Sequence, residues 1–224
     1  MAAANKFAHR GWMMNRMLTP ELLDFLPADD AEAVRSRRDL VRINRILRNA
    51  AWWRNTVAPE IAPADRVLEV GPGDGSTPLI DGFTVDGLDR FPRPSHWPRE
   101  AGWHCLSAQS FCGWEDYDVI VGNLVFHHFC PRELRELGNR MARRARIIAA
   151  CEPRRGRRFQ IGFGMIARAI GLGRVTRHDG HVSIAAGFRD EELPHALGLD
   201  RSAWELRVTQ SATGAYRMLA LRRP

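Results

Sequence analysis

Three glycines at positions 71, 73 and 75, flanked by Glu69 and followed by Asp89, are the residues whose types and spacing point most directly to chemistry. The apolar run Val67-Leu68-Glu69-Val70 leads straight into Gly71-Pro72-Gly73-Asp74-Gly75. A glycine turn between a strand and a helix lets the backbone approach the polar end of a ligand, and the helix that follows offers unpaired N–H groups. Asp89 lies twenty positions beyond Glu69, at the end of the next apolar stretch. A carboxylate there is placed to accept hydrogen bonds from ribose hydroxyls. Loop and acid together imply a nucleoside-bearing ligand, against the plainer reading of a tight turn that holds none.

The histidines are the candidates for base chemistry near neutral pH. His127 and His128 follow the apolar run Asp118–Leu124, at the strand end where open α/β sheets place their ligands. Either could be a base, His128 ahead of His127, or a buried residue bonded to the backbone. A metal site at His127-His128-x-Cys130 is disfavoured, because adjacent histidines on one loop seldom reach one ion without distant partners. In Thr176-Arg177-His178-Asp179-Gly180-His181 a carboxylate could orient His178, or the run could form a turn ending at Gly180. The basic run from Arg140 to Arg158 is either a solvated surface or an anion site for substrate.

These groups need a scaffold. Short apolar runs separated by helical segments indicate βαβ units and a parallel sheet. The expected strands are Arg66–Val70, Thr84–Leu88, His104–Leu106, Asp118–Leu124 and Arg146–Ala150, then a hairpin of Trp204–Thr209 and Tyr216–Leu221 turning at Ala212-Thr213-Gly214, which predicts an antiparallel edge. Val119-Ile120-Val121 marks a central strand covered on both faces. Helices are expected at Thr77–Gly82, Pro131–Arg144, Gln160–Gly171 and Asp190–Leu197. Before residue 64 the chain reads as a helical extension: Thr19-Pro20-Glu21 as a helix start, a short helix through Leu26, and a longer one from about Asp30 to Asn49. Residues 1–63 are therefore expected to cover a domain over 64–224. Trp12, Met13, Met14, Met17, Trp52 and Trp53 offer adaptable apolar surface for a lipophilic molecule or for helix packing. Arg42, Arg45 or Arg48 could clamp a carboxylate, or face solvent.

With 224 residues, 45% hydrophobic and 26% charged, the chain suits one well-buried α/β domain. No stretch is long and apolar enough to span a membrane, and the first residues lack a leader-like apolar core, so a cytoplasmic location is expected. Cys105, Cys112, Cys130 and Cys151 form no Cys-x-x-Cys pair, which suits reduced thiols and predicts no bound metal. The net charge of +7 favours a nucleic-acid partner, but Lys6 is the only lysine, so arginine bias can account for it.

The Glu-x-Gly-x-Gly-x-Gly loop with Asp89 resembles that of class I S-adenosylmethionine-dependent methyltransferases, and the chain from Arg66 to Arg222 is similar to their small-molecule branch. Dinucleotide enzymes want a third glycine where this chain has Ser76. The resemblance implies a Rossmann-like, seven-stranded, mostly parallel sheet with an antiparallel last strand and helices on both faces. It implies S-adenosylmethionine as cofactor, with Glu69, Gly71, Gly73 and Gly75 along its methionine and ribose, Asp89 on the ribose, and Ser107 and Ala108 beside the adenine. Many relatives carry aspartate where Ser107 stands. Asn123 opens the segment that runs beneath the methionine portion. The expected activity is methylation, at oxygen, of a small aromatic or polyketide-like acceptor, by a monomer or homodimer. Carbon methylation, RNA methylation and a non-catalytic cofactor-binding role are the alternatives; against RNA, the segment after the fourth strand reads Asn123-Leu124-Val125-Phe126 and not Asn-Pro-Pro-Tyr.

Overall fold

The computed structural model describes residues 14–75 and 82–224. The helix expected at Thr77–Gly82, together with Trp12 and Met13, lies outside the described residues.

Helix α1 (Ala31–Leu47) starts at Asp30, whose carboxylate accepts hydrogen bonds from the N–H groups of Glu32 and Ala33. Helix α2 (Asn49–Trp52) continues through tighter and wider turns to Glu60. Strands β1 (Val67–Val70), β2 (Val85–Asp89), β3 (Trp103–Cys105), β4 (Val119–Asn123) and β5 (Ile147–Pro153) follow, with helix α3 (Pro131–Met141) between the last two. Helices α4 (Arg157–Ala169), α5 (Arg174–Ala186) and α6 (Glu192–Leu197) precede strands β6 (Trp204–Gln210) and β7 (Ala215–Arg222).

The strands form one sheet in the order β3-β2-β1-β4-β5-β7-β6. Strands β1 to β5 pair in parallel, while β7 is antiparallel to both β5 and β6. The chain builds outward from β1 in both directions, so the carboxyl ends of β1 and β4 flank a topological switch point, where a crevice opens for ligands. Alternation of side chains divides the core into two layers. Leu68, Val70, Ile120 and Ile148 face α3 and α6 through Leu134, Leu137, Met141 and Leu197. Val67, Val119, Val121, Ile147 and Ala149 face Trp52, Trp53 and Val57 of the N-terminal segment.

The hairpin ends the sheet on an antiparallel edge, as expected, with β7 inserted between β5 and β6 and β6 outermost. Two other expectations need correction. The Thr19-Pro20-Glu21 start yields a single 3-10 turn, Leu22–Phe25, and its cap is distant, since the Asp179 carboxylate accepts from the N–H groups of Leu22 (2.7 Å) and Leu23 (3.0 Å). The run Thr176–His181 is not a turn; it lies inside α5. Gly180 is there for packing, because a Cβ at that position would lie 2.2 Å from the Phe163 ring of α4. Among the described residues no helix is long and apolar enough to cross a membrane.

Candidate functional site

The glycine loop leaves β1 with positive φ at Gly71 (67°), Gly73 (61°) and Gly75 (66°), a region that disfavours side chains. At Gly71 a Cβ would lie 2.5 Å from the Val125 side chain, whereas at Gly73 nothing stands within 4 Å. The open space above Gly73 belongs to one cavity of about 1600 Å³ at the carboxyl end of the sheet. Asp89, at the end of β2, holds the loop: its carboxylate accepts from Gly73 N–H at 2.9 Å and Phe91 N–H at 3.0 Å. Glu69 is buried beside it. Burial, reinforced by the charge of Asp89, pushes the Glu69 carboxyl up to about 8, and burial also raises Asp89.

Of the residues singled out in the sequence, Glu69, Gly71, Gly73, Asp89, Ser107, Ala108, Asn123, His127 and His128 all line this cavity. Gly75 does not; its Cβ position is blocked by Trp97, so it shapes the loop from behind. His178 does not either. It lies on the far side of α5, half-exposed, 2.9 Å from the Asp179 carboxylate that caps the 3-10 turn. Ser107 is occupied locally, donating to Ser110 Oγ at 3.0 Å. The Asn123 amide donates to Asn44 Oδ1 and accepts from Asn49, each at 3.2 Å, which ties the end of β4 to the N-terminal helices.

The two adjacent histidines have different surroundings. His127 is buried with Nδ1 2.7 Å from Glu152 and Nε2 3.3 Å from Glu21. Burial alone would lower its pKa, but the charges and hydrogen bonds of Glu152 and Glu21 raise it to about 9. Glu21 goes the other way: despite burial, His127, His128 and Ser183 hold it down to about 2. Glu152 also accepts from the N–H groups of Val125 (3.0 Å) and Phe126 (2.7 Å), so one carboxylate fixes the whole turn. His127 is thus an imidazolium between two carboxylates and has no lone pair to act as a base. His128 is partly exposed to the cavity, and burial together with the charge of His127 lowers its pKa, which keeps it neutral. Glu21, His127 and His128 each present an atom within 4.8 Å of the others, a spacing one ion could bridge. With both ring nitrogens of His127 hydrogen-bonded to carboxylates, the trio as arranged is an ion-paired network.

Glu21 and Glu152 were not foreseen. Glu152 had a signal, an acid at the end of the apolar run Ile147–Cys151; Glu21 comes from a strap of chain held by distant groups. Arg16 donates to the carbonyls of His127 (3.0 Å), Phe129 (2.8 Å) and Ala186 (2.7 Å), and buried Arg155 donates to Met14 O at 2.9 Å. Beyond the strap the cavity continues between α1 and α4, along Leu40, Ile43, Leu47, Phe163 and Ile166. Of the apolar residues expected to serve it, Trp53 is fully buried against the sheet, Trp52 packs beside it, and Met17 is exposed.

No family model and no curated protein matches the sequence. Solved structures do match in shape. The plantazolicin methyltransferase BpumL in complex with S-adenosylhomocysteine aligns at 13% identity and TM-score 0.60, covering 88% of this chain and 92% of that one. The plantazolicin methyltransferase BamL with a triazolic desmethylPZN analog and S-adenosylhomocysteine gives 13% identity and 0.63, covering 90% and 93%. Magnesium protoporphyrin IX methyltransferase (ChlM) from Synechocystis PCC 6803 gives 18% and 0.50, covering 80% and 82%. Sheet order, the reversed β7 and these likenesses together establish that the chain has the Rossmann-like fold of class I S-adenosylmethionine-dependent methyltransferases.

Proposed function

We propose that the protein is an S-adenosylmethionine-dependent methyltransferase acting at oxygen on a small, largely apolar acceptor, with His128 as the base. The observation that carries this reading is that the glycine loop with Asp89 and the neutral His128 line one cavity, whose far end is apolar. The cofactor fits the residues present: Gly73 leaves open space, Asp89 stands where ribose hydroxyls would donate to it, and Glu69 is a buried acid that hydrogen-bond donors or a cation would stabilise as carboxylate. Bound there, the cofactor supplies an electrophilic methyl group.

The chain's own part is to align the acceptor and take its proton. Ile43, Leu47 and Phe163 exclude water from the acceptor, and the strap bearing Glu21 covers it. His128 removes the hydroxyl proton as the oxygen becomes the nucleophile, while Glu21 and His127 hold the imidazole beside them, ring to ring at 4.3 Å. Several arginines of the basic run are ion-paired within the fold, Arg143 with Glu115, Arg144 with Asp118 and Arg146 with Asp65, so the run is not an unbroken cationic stripe for a phosphate backbone.

Calorimetry with S-adenosylmethionine and S-adenosylhomocysteine tests the cofactor; no binding at submillimolar concentration overturns the reading. Transfer of labelled methyl to phenols, carboxylic acids and total RNA tests the acceptor. Label appearing in RNA alone would replace this proposal with an RNA methyltransferase.

A further inference from the structure

Two arginines at the end of the basic run, Arg154 and Arg158, are the ones of that run that line the cavity. Arg155 is buried and paired with Glu192 at 2.5 Å, and Arg143, Arg144 and Arg146 have carboxylate partners. Arg154 and Arg158 instead line the cavity, and neither has a carboxylate within ion-pair distance among the described residues. Both guanidinium carbons stand over the same Phe159 ring, 4.9 and 4.7 Å from its centroid. Arg154 is fixed against the β6–β7 turn, where its Nη1 donates to Ser211 O at 3.1 Å and its own N–H donates to Gly214 O at 2.8 Å. The nearest acid acting on it, Asp190, accepts a hydrogen bond from Gln210 Nε2 at 3.1 Å. Burial, and then the charge of Arg158, lower the Arg154 pKa, as expected for like charges held together.

Two cations over one aromatic ring, with no carboxylate in ion-pair range among the described residues, at the edge of an apolar cavity form a receptor for an anionic group. The geometry points to Arg154 and Arg158 as the docking point for a carboxylate on the methyl acceptor, the apolar body of which lies along Ile43, Leu47 and Phe163. This rests on the proposed methyl transfer and adds the substrate class: an acidic apolar hydroxy compound, taken up with its anion away from the reacting hydroxyl. Phe159 sets the spacing of the two guanidinium groups and closes that end of the cavity against the turn at Gly214.

The probes are a matched pair, a hydroxynaphthoate and the corresponding naphthol, titrated calorimetrically into the protein with and without S-adenosylhomocysteine. The hydroxynaphthoate should bind roughly tenfold or more tightly than the naphthol, a gap that narrows with added salt. In Arg158→Gln, and further in the Arg154→Gln/Arg158→Gln double variant, the preference for the acid should shrink toward unity while S-adenosylhomocysteine affinity stays. Arg158 is exposed and makes no hydrogen bond to the fold among those described, so its variant keeps the test valid if Arg154→Gln fails to fold. Equal affinity for the two probes, binding of neither, or a preference that survives Arg158→Gln overturns the proposal. No S-adenosylhomocysteine binding by the wild type, with the acid preference present there and lost in Arg158→Gln, would instead overturn the methyltransferase reading and leave the anion site standing.

Discussion

His127 and His128 are neighbours in one short turn, and their roles are set by residues far from them in the chain. The carboxylates that make His127 a cation are 25 and 106 positions away, so no spacing rule within the turn could separate the pair. Replacing His128 with Ala should lower turnover by about 10²–10⁴ with cofactor affinity nearly unchanged. In the wild type, kcat/KM should rise with pH through a value below 6.5, the ordinary histidine value, and then level off. A profile without that rise would remove His128 as the base. Glu69 and Asp89, by contrast, were legible, because a loop contact between consecutive strands has a nearly fixed length. Their protonation was not. With Glu69 at about 8, binding a ligand that favours its carboxylate must release a proton near pH 7, so the observed cofactor affinity should increase between about pH 6 and 8. Calorimetry in two buffers of different ionisation enthalpy would show the release; identical heats would mean that Glu69 does not ionise on binding.

Elements were read from periodicity, and because a buried parallel strand is a continuous apolar run, strand ends were recovered to within three residues, the widest gap being at β5, which runs on to Pro153. Helix α5 was missed for an identifiable reason: Gly180 and Asp179 look like turn residues, yet one is a close-packing site and the other caps the 3-10 turn Leu22–Phe25. Glycine in α3 plays the same part as Gly180. A Cβ on Gly138 would lie 1.8 Å from the carbonyl oxygen of Leu197, which is backbone and cannot rotate away. Gly138→Ala should therefore push α3 and α6 apart and destabilise the fold by about 1–3 kcal/mol in a denaturant titration; a neutral effect would mean that the two helices are not packed as described. The strap is a further case of distant control, since one guanidinium, that of Arg16, holds it to three carbonyls. Arg16→Ala should expose the segment before α1 to proteolysis and weaken retention of bound cofactor, both read against the wild type; unchanged cleavage would show that the strap is held by other contacts.

At the scale of the whole molecule, three buried groups make stability depend on pH. The raised His127 stabilises the fold fully below about 6.5, and its contribution is lost as pH rises through about 9. The depressed Glu21 contributes above about 4.5, and its contribution is lost as pH falls through about 2. Glu69 is raised by burial, so the folded protein retains a proton that the unfolded chain releases above about 4.5, and stability falls from there up to about 8. The melting temperature should thus decline on the alkaline side in two overlapping steps. Glu69→Gln should remove the earlier one, whereas a decline that persists unchanged would assign it elsewhere. Strand order carries a further consequence, for synthesis. β7 leaves the ribosome after β6, yet it must slide between β5 and β6 and pair with both. Until it does, β5 presents a bare edge, so a chain that has made β6 but not yet β7 is an open template for sticky pairing.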